Sequence, residues 1–277
     1  MDRLTSLLAL FQPQPSDARF LKGTPLETLQ HRSDRFNQVH SQALYVLEGE
    51  LNISIDDQQH KVVKGELIWL PNADAAEVLA SERSCWLALS YRFGPMHLNM
   101  VFESLPMLLH IPAASEQPEL APILTLLCQE VEGAHCGYQQ VLTHLMDVLL
   151  IHMLRVVVGS MEVTSGVIGG LSDPRLSRAL VSMHDTPEQA WSLSTLAQAA
   201  GMSRTAFSQH FKAVVGCPPG EYLKQWRMQL AYQYLRAREL SVAQIADRLG
   251  YQSETAFRRV FRQVMGVPPG QIRASNS

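Results

Sequence analysis

The chain has 277 residues, of which 46% are hydrophobic, and a formal net charge of −3. This length accommodates two domains, and the hydrophobic content excludes a wholly disordered chain. The charge is uneven: residues 173–277 carry 13 Lys and Arg against 7 Asp and Glu, whereas residues 1–172 carry 10 against 19. A basic segment attracts phosphate and an acidic one does not, so only the C-terminal part is expected to touch nucleic acid.

Short strands are predicted from residue 24 to about residue 93. Residues 51–56 alternate between apolar and polar, residues 67–70 are a buried apolar run, and residues 85–91 alternate again. Many short strands separated by Gly and Pro predict a small antiparallel β-barrel. The inward apolar side chains either line a small-molecule pocket or simply fill the barrel. They are Leu51, Ile53, Ile55, Trp69 and Trp86.

Two helices are predicted after the strands, and the second, over residues 141–158, is apolar on more than one face. His144, Asp147, His152 and Arg155 interrupt it, so it is not predicted to span a membrane. One side is expected to pack on the barrel. The other side either meets a second subunit, giving a homodimer, or is buried within the chain.

The four cysteines form no CxxC pair, which is typical of a protein in the reducing cytoplasm. Cys128 and Cys136 are eight residues apart across a helix junction, and His135 stands beside the second thiol. A redox-sensing pair is therefore an alternative to two inert thiols. The sequence contains no phosphate-binding Gly loop, GxSxG elbow or HExxH motif, so it predicts neither an enzyme nor a cofactor.

Residues 159–172 hold four glycines and no apolar periodicity, which predicts a linker between domains at 1–158 and 173–277. Asp173 followed by Pro174 then predicts the start of a helix.

The C-terminal domain contains one pattern twice, and internal repetition of this kind defines the architecture. The copies are offset by 49 residues before a tight turn (Ala197 to Ala246) and by 50 after it (Phe207 to Phe257). Each copy predicts a helix, a turn at a glycine, and a second helix that begins after a serine cap. A long helix over residues 220–238 joins the copies.

The first helix of each copy begins at a serine, Ser192 or Ser241. Ser241 and Gln244 have the spacing of a capping box, whereas the first copy has Thr195 at the third position and is expected to lack one.

Hydrogen-bonding and cationic side chains are expected on the exposed faces of the second helices, as a helix in a DNA major groove requires. The alternative is a helical bundle whose polar face is merely solvated. These side chains are Arg204, Thr205, Ser208, Gln209 and Lys212 in one copy, and Glu254, Thr255, Arg258, Arg259 and Arg262 in the other.

Residues 173–273 resemble the AraC/XylS family of transcription regulators. The matching residues are Leu196, Ala197, Gly201, Met202, Ser203, Phe207, Phe211, Gly216, Pro219, Ile245, Ala246, Gly250, Tyr251, Phe257, Phe261, Gly266, Pro268 and Pro269. The resemblance implies two helix-turn-helix units whose recognition helices enter successive major grooves of a double-stranded DNA operator. It also implies activation through RNA polymerase, with repression left open.

The family pattern assigns roles to residues on both recognition helices. It implies base contacts by Thr205, Ser208, Gln209, Thr255, Arg258 and Arg259, and phosphate contacts by Arg204, Lys212 and Arg262.

Residues 44–50 and 65–71 resemble the cupin-like sensor domain that precedes many AraC-type DNA-binding domains. This implies a small-molecule effector of unknown identity, bound by an acidic sensor domain. Leu44 and Ala76 stand where metal-binding cupins have histidines, and His40 and His60 have no third ligand at usable spacing. No metal is predicted, and a cupin enzyme fused to a DNA-binding domain is the weaker alternative. The expected fold is a two-domain α+β protein, with an antiparallel cupin-like barrel and flanking helices followed by an all-α double helix-turn-helix domain.

Overall fold

The structure is a computed structural model, and it describes residues 4–5, 8, 14–23, 38–56, 58–73, 76–95, 105–111, 117–160 and 163–274. The chain forms two compact units, one of Phe11–Val163 and one that contains Thr164–Ser277.

The first unit is built from antiparallel strands. They are β1 Gln14–Lys22, β2 Gln38–Glu48, β3 Glu50–Ile55, β4 Gln58–Val63, β5 Leu67–Leu70, β6 Glu77–Ala80, β7 Cys85–Pro95 and β8 Leu109–Ile111. Among these described strands, five pair in the order β1-β7-β2-β5-β8 and three in the order β4-β3-β6. The predicted barrel is not confirmed in this detail, because these described strands form two sheets that are not closed into a barrel. The chain leaves the larger sheet at Gly49, whose φ of 72° turns it directly into the smaller one, so β2 and β3 belong to different sheets.

The two sheets bury one apolar core between their facing sides. Alternation along β3 is as predicted, since Leu51, Ile53 and Ile55 are buried while Asn52 is exposed. They share this core with side chains from the larger sheet: Leu44, Val46, Ile68, Leu70, Trp86 and Ala88.

Strand β7 does not alternate between buried and exposed side chains as predicted, because both of its faces are covered. Trp86 and Ala88 lie in the core between the sheets, and Leu87 and Leu89 are also buried. Two helices, α1 (Ala121–Gly133) and α2 (Tyr138–Ser160), follow the strands. The Tyr91 hydroxyl donates a 3.0 Å hydrogen bond to the Met146 carbonyl oxygen, which ties β7 to α2. Alternation predicts exposure only where solvent meets the second face.

Helix α2 is the one helix of the described chain that is long and apolar enough to cross a membrane by length and composition, over Tyr138–Gly159. It is a packed helix here, with Met146, Leu149 and Met153 buried. Its exposed side carries His144 and Arg155. An apolar helix that packs in a protein passes the same hydropathy test as a membrane span, because burial in protein and in lipid select the same side chains.

The second unit is helical throughout its described elements. They are α3 Gly166–Ser172, α4 Leu176–Asp185, α5 Leu193–Ala200, α6 Arg204–Val215, α7 Pro219–Ala237, α8 Val242–Arg248, α9 Glu254–Met265 and α10 Pro269–Ala274. Each predicted phenylalanine pair is buried: the ring centroids of Phe207 and Phe211 are 5.5 Å apart, and those of Phe257 and Phe261 are 5.6 Å apart.

Part of the segment predicted as a linker is helical and buried. Helix α3 buries Val167, Ile168 and Leu171 within the second unit. A Cβ on Gly170 would lie 2.7 Å from Leu180 Cδ1 and 2.9 Å from Val215 Cγ2. This glycine therefore permits close packing rather than flexibility, and composition alone does not separate the two uses.

An aromatic stack connects α4 to α7 in this unit. The His184 and Trp226 rings lie parallel with centroids 3.7 Å apart, and His184 Nε2 is 2.6 Å from the Tyr222 hydroxyl. Burial lowers the pKa of His184 to about 3, since the charged form of the imidazole would lose its hydration there.

Candidate nucleic-acid interface

Both predicted recognition helices, α6 and α9, begin at serine caps, which fix the direction in which each helix leaves the turn. The Ala206 amide donates to Ser203 Oγ at 3.3 Å, and the Ala256 amide donates to Ser253 Oγ at 3.1 Å. Each bond satisfies a backbone donor that the helix itself leaves unpaired.

The first helix of each copy is capped too, and here the expectation for the first copy is wrong. Ser192 and Thr195 form a reciprocal capping box: the Thr195 amide donates to Ser192 Oγ at 3.1 Å and the Ser192 amide donates to Thr195 Oγ1 at 3.0 Å. A threonine hydroxyl therefore accepts the same bond as the Gln244 side chain, which accepts from the Ser241 amide at 2.8 Å.

On α6 the residues predicted to contact bases lie on the solvent-facing side. Thr205 and Gln209 are exposed and Ser208 is partly exposed. Arg204 and Lys212, predicted to meet phosphates, are exposed at the beginning and in the last turn of this helix. The face therefore carries uncharged hydrogen-bonding groups flanked by two cations.

On α9 the predicted reading residues Thr255, Arg258 and Arg259 are exposed, as is Arg262. Arg258 Nε donates to Glu254 Oε1 at 2.6 Å, one turn back along the helix. Exposed pairs of this kind contribute little to stability, so the contact mainly orients the guanidinium. The role of Glu254 was not predicted, although the i, i+4 spacing of opposite charges was readable in the sequence.

A second unpredicted contact holds α6 from behind. His210 Nε2 lies 2.6 Å from Asp173 Oδ2, while Asp173 Oδ1 accepts from the amides of Arg175 and Leu176 at 2.8 and 3.0 Å. The predicted capping role of Asp173 is therefore present, although α4 itself begins at Leu176. Burial acts to raise the pKa of Asp173, but the bonds from His210, Leu176 and Arg175 outweigh it and lower the pKa below its usual value. No sequence signal linked these residues, because they are distant in the chain.

The five predicted pocket residues of the first unit do not all lie together. Leu51, Ile53, Ile55 and Trp86 share the core between the sheets. Trp69 points to the opposite side of the larger sheet, since its neighbours Ile68 and Leu70 face that core and strand side chains alternate. Its indole Nε1 donates to Ser41 Oγ at 2.6 Å.

Trp86 differs from Trp69 in its polar atom. Its Nε1 is buried without a hydrogen-bond partner among the described residues. Buried indole N–H groups normally have a partner, so this donor marks a place where an acceptor would be stabilised.

The four cysteines are free thiols. Cys128 is partly buried, and burial, followed by the nearby Glu132 and Cys85, raises the pKa of its thiol to about 11. Cys136 is exposed. Reactive cysteines need a lowered pKa, so the surroundings of Cys128 disfavour the predicted redox role. No group of three or more His, Cys, Asp or Glu able to hold a metal is found within the described parts of the chain.

A helix-turn-helix domain family model matches residues 196–275, which cover α6 to α10 and most of α5, and a cupin family model matches residues 82–159. A putative AraC-like transcription regulator of Streptomyces lividans is 35% identical over 166 residues, 59% of this chain and 55% of that protein. The chain is therefore similar to AraC-like transcription regulators. It spans about half the length of the first relatives it matches.

Other relatives match different shares of the chain. The RCS-specific HTH-type transcriptional activator RclR of Escherichia coli K12 is 27% identical over 262 residues, 92% of this chain and 90% of that protein. Among solved structures, the DNA-binding domain of AdpA in complex with a target DNA is 33% identical and covers 38% of this chain and 93% of that chain, with a TM-score of 0.35.

Proposed function

We propose that this protein is an AraC-type, sequence-specific regulator of transcription that binds a double-stranded DNA operator through α6 and α9. The observation that carries the proposal is the pair of serine-capped helices whose exposed faces present Thr205, Ser208 and Gln209 in one copy and Arg258 and Arg259 in the other. Such groups match base edges in the major groove, and flanking cations match phosphates.

Selection of duplexes from a random DNA library by the full chain, followed by fluorescence anisotropy, tests this proposal. A bound site should have two parts about 10 base pairs apart, because recognition helices in successive grooves are separated by about one helical turn. The affinity should fall with salt, with a log–log slope of about −0.9 for each phosphate neutralised. Failure to enrich any sequence, or salt-independent binding, would contradict the proposal.

We propose that residues 1–158 form a sensor and that residues 173–277 bind DNA. Helix α3 packs within the second unit and belongs with the DNA-binding part. The acidic charge of the first part and the basic charge of the second support this division. A fragment of residues 164–277 should then bind the selected duplex without the first unit. Loss of binding by this fragment would contradict the division.

For the sensor we propose a small organic effector that enters between the two sheets beside Trp86. The unpartnered indole donor within an apolar core supports an acceptor-bearing, largely apolar molecule. The disfavoured thiolate at Cys128 argues against the redox alternative, and the relatives named as transcription regulators support a non-enzymatic role.

Partners beyond DNA follow from the family and from one surface. We propose activation through RNA polymerase in the cytoplasm, and a homodimer formed by the helices of the first unit. Leu126 on α1 and Val141 and Val148 on α2 are 50%, 42% and 40% exposed, and such apolar groups favour a protein partner. The molar mass of the full chain and of Val148→Glu, measured by light scattering, checks this. A monomeric wild type would refute the proposed dimer.

A further inference from the structure

The loop that leads into the first helix-turn-helix unit contacts the second unit, which links the two units at a second place besides the long helix α7. Residues 186–191, which precede α5, run beside the turn between α8 and α9. A Cβ built on Gly250 in that turn would lie only 2.1 Å from the carbonyl oxygen of Glu188. The two backbones are therefore in direct contact, and only a glycine allows this approach.

Arg227 holds this contact from α7. Its Nε donates to the Pro187 carbonyl oxygen at 2.6 Å and its Nη2 donates to the Gln189 carbonyl oxygen at 2.9 Å. Its guanidinium carbon lies 5.8 Å from the centroid of the Tyr251 ring, which follows Gly250 in the second copy. One side chain thus joins the loop before the first copy, the connecting helix α7 and the turn of the second copy.

The chemistry of this contact suits arginine and no other side chain. A planar fork of donors meets two carbonyl oxygens at once, and the same plane lies near an aromatic ring. Burial lowers the pKa of the Arg227 guanidinium, while Tyr251 and Glu188 favour its charged form, and it remains charged at neutral pH. The loop is also fixed by itself, because Trp191 Nε1 donates to the Thr186 carbonyl oxygen at 3.0 Å.

We propose that Arg227 is a positioning residue that fixes the angle and distance between α6 and α9, and thereby sets the spacing of the two half-sites that the chain accepts. The proposal rests on the function proposed above. Moving one half-site by one base pair displaces it by about 3.4 Å and rotates it by about 34° around the DNA axis. Close-packed backbones cannot follow such a movement. A chain in which α6 and α9 are held at a fixed distance and angle therefore discriminates between different half-site spacings.

The first measurement needs no DNA. Hydrogen exchange of the full chain is compared for wild type, Arg227→Gln and the control Arg236→Gln, which changes an exposed arginine near the Tyr232 ring on the same helix. Amides of residues 186, 188–191 and 250–253 should exchange at least about tenfold faster in Arg227→Gln, because local opening no longer has to break the hydrogen bonds of Arg227. The control should exchange at these positions like the wild type.

The second measurement uses the duplex selected by the wild type and versions with one base pair added or removed between its half-sites. Wild type should lose about tenfold or more in affinity on either altered duplex, since one set of base contacts is lost. Arg227→Gln should lose about threefold or less. Arg236→Gln should keep the wild-type ratio, even if its affinity falls on all three duplexes.

Each outcome decides between the two proposals. If the wild type selects no duplex, the proposed function fails and the spacing role fails with it. If the wild type selects a two-part site and Arg227→Gln keeps the full spacing preference or the wild-type exchange, only the positioning role is overturned. If Arg227→Gln does not fold, Arg227→Lys decides, because lysine keeps the charge but cannot reproduce the fork. Relaxed spacing in Arg227→Lys supports the role, and unchanged spacing refutes it.

Discussion

Lowering the pH should destabilise the second unit through one buried histidine. His184 has an ordinary pKa of 6.5 in the unfolded chain and a folded-state pKa of about 3. The unfolded chain therefore takes up a proton first as the pH falls. Stability from this group is complete above pH 6.5 and is lost progressively between pH 6.5 and about pH 3.

The size of the loss follows from this window. Each pH unit between the two pKa values costs about 1.4 kcal/mol, so moving from pH 7 to pH 5 should remove about 2 kcal/mol of unfolding free energy. His184→Gln cannot take up the proton, and its own loss of packing and hydrogen bonding should cost about 1–3 kcal/mol at pH 7.

Urea unfolding monitored by the helical circular-dichroism signal measures both effects, because the second unit supplies most helices. The difference in unfolding free energy between wild type and His184→Gln should shrink by about 2 kcal/mol from pH 7 to pH 5. His144→Gln, which changes an exposed histidine of the first unit, is the matched control. A difference that stays constant across this pH range would refute the assignment of the shift to His184.

Three further predictions concern DNA recognition, the core of the first unit and the close approach of Gly250 to Glu188. Arg258→Ala should cost about 1–3 kcal/mol on the selected duplex and relax base preference, whereas Lys212→Ala should weaken all duplexes alike and reduce the salt slope by about 0.9; equal losses on every duplex for both would make Arg258 a phosphate contact. Trp86→Ala should destabilise the first unit by about 3–5 kcal/mol in thermal unfolding if it fills the core; normal stability with a lost effector response would instead make it a pocket wall. Gly250→Ala should cost more than Gly266→Ala, since both have positive φ near 74° but only Gly250 has a backbone neighbour; equal melting temperatures would exclude the close approach.

The helix-turn-helix half of the fold was predictable because its signals are local and occur twice. Serine caps, turn glycines and phenylalanines four apart each specify structure within one helical turn or two. The error at Thr195 came from requiring a long acceptor at the third position, which a threonine hydroxyl also supplies.

The remaining features depend on residues distant in the chain. The route of the chain at Gly49 decides between a closed barrel and two sheets, and burial of both faces of β7 depends on helices that follow it. The contacts of Arg227, His210 and Trp69 likewise join positions far apart in sequence. Periodicity specifies which face of an element is apolar, but it does not specify what covers that face.

The two reading faces are chemically unlike. One presents neutral hydroxyl and amide groups, and the other presents two arginines with a glutamate beside them. With the base contacts proposed above, the DNA site that fits a single chain is therefore asymmetric. Reversing that site would place the arginines over the bases meant for Thr205 and Gln209. Such a site would fix the orientation of the bound protein on the chromosome as well as its position.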